Sequence, residues 1–264
     1  GGGKVSPSVD VAVGQFGLGP RLGEGAYGLV RRATHIPTHG TVAMKSIDRD
    51  MMRRKNAEDR VRREIEGLRL CSSHPNVIRL YRALETPSSI MLAFEYAGGG
   101  DLYDYMKSHK GNRLNANVAR RFFRQLASAV RYMHSKLISH RDLKVDNLLL
   151  DTSHQNIKIA DFGFSKLASS EDERMRTPCG SPHYCSPEVL MASESSYYGP
   201  AADIWSCGVI LYGMLTGTLP FNEKSTKEMF SKIKNGDYVI PYILDTDEAD
   251  IISRMLTVSV KARI

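Results

Sequence analysis

His140-Arg141-Asp142-Leu143-Lys144-Val145-Asp146-Asn147 runs straight into Leu148-Leu149-Leu150, and Asp161-Phe162-Gly163 follows nineteen residues after Asp142. Six polar residues held between apolar runs are hard to explain as an ordinary surface loop. Two acids and an asparagine at these separations can supply one proton acceptor and two contacts to a hard divalent cation. The stretch therefore places a polar site at the mouth of a buried strand, and the rest of the chain can be judged by whether it serves that site.

Upstream, Gly23-Glu24-Gly25-Ala26-Tyr27-Gly28 fits G-x-G-x-x-G. Such a string also opens dinucleotide-binding folds, but there a helix follows and an acid stands about 20 residues on. Here Leu29-Val30 continues as strand, which favours a glycine hairpin whose backbone N–H groups can approach phosphates; a purely structural turn is the alternative. Seventeen residues after Gly28, Lys45 ends the apolar run Val42-Ala43-Met44. Alone it would be a surface lysine with its stem lying on the sheet. Behind a glycine loop it points one charge at a fixed place. On the helical stretch that follows, Val61, Ile65 and Leu68 recur at helical spacing. Glu64 shares that stripe and can pair with Lys45, while Glu66 falls about 100° beyond Ile65, toward solvent.

The pattern divides the chain. Residues 1–14 are expected to be a flexible tail, and 15–95 a strand-rich lobe with one main helix. Residues 96–100, with Gly98-Gly99-Gly100, form a joint, and 101–264 a mainly helical lobe: an α+β chain with two lobes. Residues 116–135 form an amphipathic helix with Val118, Phe122, Leu126, Val130 and Met133 on one side. Ile204–Leu215 is the longest apolar stretch, too short for the roughly 20 residues of a membrane span, and is expected to be a buried helix. Four cysteines without a C-x-x-C pair or zinc-type His spacing argue against a disulfide framework or zinc cluster and suggest a reducing intracellular compartment, the cytoplasm or the nucleus. The net charge of +7 raises nucleic acid as a partner, but no basic face with interleaved aromatics appears, so none is expected. Residues 49–82 hold 10 Lys+Arg against 5 Asp+Glu, either a solvated basic face or a dock for an acidic or phosphorylated segment.

Glycine loop, lysine, HRDLKxxN and DFG in this order resemble the eukaryotic protein kinases, over Phe16 to Arg263. Ser186-Pro187-Glu188 resembles that family's A-P-E, and Asp203-Ile204-Trp205-Ser206-Cys207-Gly208 its D-x-W-S-x-G helix. The resemblance implies a two-lobed kinase fold and the following roles. Asp142 accepts the proton of a substrate hydroxyl. Lys144 contacts the γ-phosphate. Asn147 and Asp161 hold Mg2+, with Mn2+ as a substitute. Gly23, Gly25, Gly28, Lys45 and Glu64 serve the ATP phosphates. Val30, Ala43 and Leu149 sandwich adenine, Phe94 stands behind it, Glu95 and Ala97 offer backbone groups to it, and Asp101 belongs to the same ATP-binding set. Leu68, Leu80, His140 and Phe162 match a stacked core, and Arg263 is expected to pair with Glu188.

Lys144 and the segment Thr177–Tyr184 resemble serine/threonine kinases of the calmodulin-dependent group, in particular their AMP-activated-kinase-related branch. Asp101 and Asp146 match positions that contact basic residues upstream of the acceptor, Asp101 doubling as a helix cap. Ser181 matches a residue that bonds the catalytic Asp and Lys. Thr177 is the expected activating phosphorylation site, served by an upstream kinase and read by Arg141 and Lys166. The family's last helices would follow Ile264, so regulatory segments or subunits are expected outside this chain. The rival reading, a pseudokinase scaffold, would require loss of Lys45, Asp142, Asn147 or Asp161, and all four are present.

Overall fold

A computed structural model of the chain describes residues 11–25, 28–168, 170, 173–175, 180–192 and 196–264. The glycine-punctuated N-terminal third forms a six-stranded antiparallel sheet from β1 (Val11–Val13), β2 (Phe16–Gly25), β3 (Gly28–His35), β4 (Gly40–Asp48), β5 (Leu80–Glu85) and β6 (Ser89–Glu95), in the order β1-β2-β3-β4-β6-β5. Val11–Val13 pairs with Phe16–Leu18, so strand structure begins inside the stretch expected to be a tail. Between β4 and β5 lie α1 (Arg49–Arg54) and α2 (Glu58–Cys71). Asp48 caps α1, its Oδ1 accepting from the Met51 N–H at 2.7 Å.

The second lobe holds α3 (Leu102–Lys107), α4 (Ala116–Ser135), the short strands β7 (Ile138–Ser139), β8 (Leu148–Leu150), β9 (Ile157–Ile159), β10 (Lys166–Leu167) and β11 (Arg174–Met175), then α5 (Pro187–Leu190), β12 (Tyr197–Tyr198), α6 (Gly199–Thr216), α7 (Thr226–Asn235) and α8 (Thr246–Met255). The helix expected over 116–135 is α4, capped by Asn115 and burying Phe122, Leu126, Val130 and Met133; Val118 is half-buried at the edge of that face. α6 covers the apolar stretch 204–215 and is buried on nearly all sides, with Trp205 at 0% exposure stacked on Phe221. Among the described residues no helix is long and apolar enough to cross a membrane.

Two features set the lobes against one another. The link before β5 is sewn to the second lobe: the Asn76 amide donates to the Ile157 carbonyl at 2.9 Å, the Ile78 N–H to the Ile159 carbonyl at 2.9 Å, and the Ile159 N–H to the Asn76 carbonyl at 2.8 Å. Across the joint, Lys158 Nζ lies 2.6 Å from Glu95 Oε1. The cleft between lobes is thus framed by the sheet above and by β8, β9 and their loops below.

Candidate active site

The cleft encloses about 620 Å³. Thirteen of the expected residues line it: Gly23, Val30, Ala43, Lys45, Glu64, Phe94, Glu95, Ala97, Asp101, Asp146, Asn147, Leu149 and Asp161. Strand register explains the grouping. Val30 pairs with Lys45 and Ala43 with Phe94, so their side chains share the lower face of the sheet. Leu149 on β8 rises opposite them. Phe94 is buried and closes the back of the cleft. Leu22, Ile78 and Ala160 also line it. They were not singled out in the sequence, because an aliphatic wall carries no motif of its own.

Lys45 Nζ lies 2.5 Å from Glu64 Oε1. Glu64 is 3% exposed because it rides on the stripe of Val61 and Leu68 that packs α2 against the sheet, whereas Glu66 is exposed. α2 also presses on the Asp161-Phe162-Gly163 turn. A Cβ added at Gly67 would stand 2.9 Å from Ser165 Oγ and 3.1 Å from Phe162 Cδ1, so the glycine permits the approach. Phe162 is fully buried, its ring 5.0 Å from that of His140 in an edge arrangement. Leu68 is buried beside them and Leu80, half-buried, pairs with Phe94.

The glycines divide in their reasons. A Cβ at Gly28 would fall 1.7 Å from the Ser46 carbonyl oxygen, so its glycine is demanded by strand packing. A Cβ at Gly23 would meet nothing within 4 Å, so this glycine leaves open space over the cleft. Gly25 pairs with Gly28 at the hairpin end. Ala26 and Tyr27 lie outside the described residues.

Beneath the cleft the polar cluster closes on itself. Asn147 Nδ2 donates to the Asp142 carbonyl at 2.7 Å and to Asp142 Oδ2 at 3.2 Å. Ser181 Oγ donates to Asp142 Oδ1 at 3.0 Å and accepts from Lys144 Nζ at 2.9 Å, and Lys144 Nζ lies 3.3 Å from Asp142 Oδ2. A carboxylate, an ammonium and a hydroxyl thus meet within one hydrogen-bonded knot. Asp142 is only 5% exposed, which keeps its charge directed rather than dispersed in water.

The donor set at the cleft floor suits a hard cation. With its amide nitrogen committed to Asp142, Asn147 offers Oδ1, and Asp161 offers a carboxylate. No histidine or cysteine joins them, and no cluster of three or more acidic, His or Cys ligands exists among the described residues. Two oxygen-donor residues of this kind fit a hard divalent cation rather than a thiophilic one.

Residues 16–264 match the protein kinase domain family. The chain belongs to the protein kinase domain family. It is 45% identical over 253 residues to the serine/threonine protein kinase OSK3 of Oryza sativa, covering 96% of this chain and 48% of the relative. It is 44% identical over 262 residues to a carbon catabolite-derepressing protein kinase of Candida glabrata, covering 99% of this chain and 42% of the relative. The kinase domain thus spans about half the length of these curated relatives.

One residue that organises this site carried no assigned role in the sequence. Asp203, at 0% exposure on α6, accepts from the His140 N–H at 2.9 Å, the Arg141 N–H at 2.8 Å and His134 Nε2 at 2.8 Å. Burial alone would raise its carboxyl, but the hydrogen bond and charge of His134, with His140 and the Arg141 N–H, hold it below the usual carboxylate range. The anchor matters because Arg141 sits in the left-handed region at φ 66°, uncommon for a non-glycine residue. Asp161 is likewise left-handed, at φ 60°. The loop is held in this posture by the buried carboxylate rather than by its own preference.

The remaining expected residues fall as follows. Asp101 caps α3, its Oδ1 accepting from the Asp104 N–H at 2.8 Å; burial raises its carboxyl, and nearby Asp104 and Asp146 add to the rise while backbone N–H groups oppose it. Arg263 grips Glu188 with both arms, at 2.6 and 2.9 Å, and its guanidinium stands 5.2 Å from the Trp205 ring. Arg141 Nε donates to the Phe164 carbonyl at 2.7 Å and Nη1 to the Tyr197 hydroxyl at 3.1 Å. Lys166 is paired with Glu173. Thr177 lies outside the described residues.

Proposed function

We propose that this protein is an ATP-dependent serine/threonine protein kinase. The observation that carries the reading is one cleft lined by the Lys45–Glu64 pair and the oxygen donors Asn147 and Asp161, with the Asp142–Lys144–Ser181 knot beneath it, joined to it by the Asn147–Asp142 hydrogen bonds. Phosphoryl transfer needs placement and charge neutralisation more than covalent help, and these residues supply both.

Val30, Ala43 and Leu149 hold the adenine, with Glu95 and Ala97 giving it backbone contacts. Lys45, steadied by Glu64, fixes the α- and β-phosphates under the glycine hairpin. Asn147 and Asp161 would hold Mg2+, which when bound would supply positive charge against the phosphate oxygens. Asp142 orients the substrate Ser or Thr hydroxyl and accepts its proton as the new oxygen–phosphorus bond forms and the bond to the ADP oxygen breaks. Lys144 neutralises charge on the transferred phosphoryl group.

Asp101 and Asp146 favour substrates with an Arg or Lys about three residues before the acceptor. Thr177 is the activating site, phosphorylated by an upstream kinase. In that state its phosphate engages Arg141 and displaces Glu173 from Lys166, since a dianion outcompetes one carboxylate for the ammonium. The enzyme works inside the cell, in the cytoplasm or the nucleus, where thiols such as buried Cys71 and Cys207 stay reduced.

The test is transfer of labelled γ-phosphate from ATP to an arginine-containing Ser/Thr peptide, comparing wild type with Asp142→Ala. Loss of at least about 10³-fold in kcat is expected from removing the group that orients and deprotonates the nucleophile; equal rates overturn the enzyme reading. Thr177→Ala keeping full activity overturns the switch, and a positional peptide library without a basic preference removes the roles given to Asp101 and Asp146.

A further inference from the structure

The strongest single-sign feature outside the cleft is the outer face of α4. This 20-residue helix carries Arg120, Arg121, Arg124 and Arg131 and no Asp or Glu, so it accounts for +4 of the chain's +7. Arg121 is engaged, donating to the His154 carbonyl at 3.4 Å with its guanidinium 5.1 Å from the Phe122 ring. Arg120, Arg124 and Arg131 are exposed, and none has an ion pair or side-chain hydrogen bond among the described residues.

Helical geometry puts the three in one row. At about 100° per residue, Arg124 lies about 40° and Arg131 about 20° from Arg120, and the row runs about 16 Å along the axis. It is directed away from the buried face of Phe122, Leu126 and Met133. An ordinary solvated helix face interleaves signs, because like charges four residues apart repel. The basic stretch 49–82 does so: Asp50, Glu58, Asp59 and Glu66 are exposed among its arginines, and Arg53 and Arg49 have acidic partners. α4 has no such compensation.

We propose that this arginine row docks an Asp- and Glu-rich segment of a partner protein. Guanidinium forks match carboxylates in pairs, and a rigid row about 16 Å long fits an extended or helical acidic stretch presenting several of them. Single-stranded nucleic acid is disfavoured because no α4 aromatic is exposed for base stacking: Phe122 is buried, and Phe123 and Tyr132 are half-buried. A membrane surface is disfavoured because α4 exposes no large apolar side chain to insert. The row shares no residue with the ATP cleft, so docking recruits a partner without touching the chemistry.

The experiment measures anisotropy of a fluorescent poly-glutamate peptide against the full chain, wild type and Arg120→Glu/Arg124→Glu/Arg131→Glu. Expected are a salt-sensitive affinity and a loss of at least tenfold in the variant, with ATP-dependent peptide phosphorylation unchanged. A matched control, Arg53→Glu/Arg54→Glu/Arg62→Glu, carries the same change in net charge and is expected to retain binding. If the control weakens binding as much, net charge and not the row is responsible, and the proposal fails. It also fails if wild type shows no binding at low salt, or binds duplex DNA or phosphatidylserine vesicles more tightly than poly-glutamate. Arg→Gln at the same three positions, expected to cost several-fold, decides the matter should the reversed variant misfold; unaltered binding there overturns the proposal.

Discussion

Replacing Asp203 with Asn separates two jobs that the buried carboxylate performs at once. The carboxylate accepts three hydrogen bonds, from His140 N, Arg141 N and His134 Nε2. Oδ2 accepts from both His140 N and His134 Nε2 and Oδ1 from Arg141 N alone, so an amide that keeps its oxygen at the Oδ2 position turns its NH2 group toward the Arg141 N–H and loses that one bond. Losing this charge-assisted bond is expected to destabilise the fold by about 1.5–3 kcal/mol. A domain stable by about 5–15 kcal/mol remains folded in the cold. The kinetic effect arises because the Arg141 backbone, left-handed at φ 66°, loses its tether one residue before Asp142. On the proposed role of Asp142, a displacement of the order of 1 Å at this group is expected to cost about 10²-fold. Urea unfolding and steady-state peptide phosphorylation at 10 °C measure the two jobs separately. KM for ATP is expected to change little, because Asp203 does not line the cleft. A destabilised variant with kcat within twofold of wild type would refute the claim that this carboxylate holds the catalytic loop in register. The pH dependence follows from the same bonds. Because the folded Asp203 carboxyl is held below its ordinary range, its contribution is full above the unfolded value near pH 4 and is lost as pH falls through the lower, folded value. Wild type therefore loses stability in that acid window, and Asp203→Asn lacks this component of the loss.

Glu64→Gln removes the charged partner of Lys45 and is expected to lower kcat/KM for ATP about 10²-fold or more, with KM for the peptide unchanged, in the same kinase assay. Gly28→Ala drives a Cβ against the Ser46 carbonyl and is expected to cost about 1–3 kcal/mol, a drop of roughly 2–12 °C in melting temperature. Gly23→Ala, in open space, leaves the melting temperature unchanged and raises KM for ATP; equal melting shifts would contradict the division drawn between these glycines. Arg263→Ala strands the half-buried Glu188 and costs about 3–5 kcal/mol by urea titration, and Arg263→Lys recovers only part because the two-armed grip is lost.

Several elements were legible before any coordinates. α4 covers 116–135 because its apolar residues repeat at helical spacing and Asn115 caps it, both local properties. α6 announced itself as an apolar run. Glu64 could be preferred to Glu66 because burial on a helix follows the angle from its apolar stripe. The strand at Val11–Val13 was missed because its pairing with β2, not its composition, makes it a strand. The aliphatic cleft wall of Leu22, Ile78 and Ala160 was missed for a similar cause: each becomes a site residue only by where the lobes meet.

What the amino-acid order determined alone is the chemistry: which acids, lysines and amides exist, in which sequence, on which local elements. A charged side chain announces itself in a string of letters because burying it needs a reason. What only the tertiary structure decided is which of these groups are tied down and which are left over. Asp203 looks like one more acid in a helix until three donors from a distant loop converge on it. Gly23 and Gly28 look alike until the carbonyl of Ser46 is found beside one of them. The arginines of α4 count equally toward a net charge of +7 until folding shows Arg121 bonded and Arg120, Arg124 and Arg131 aligned in solvent. Partnering is a property of distance in space, and distance in space is set by the packing of elements far apart along the chain.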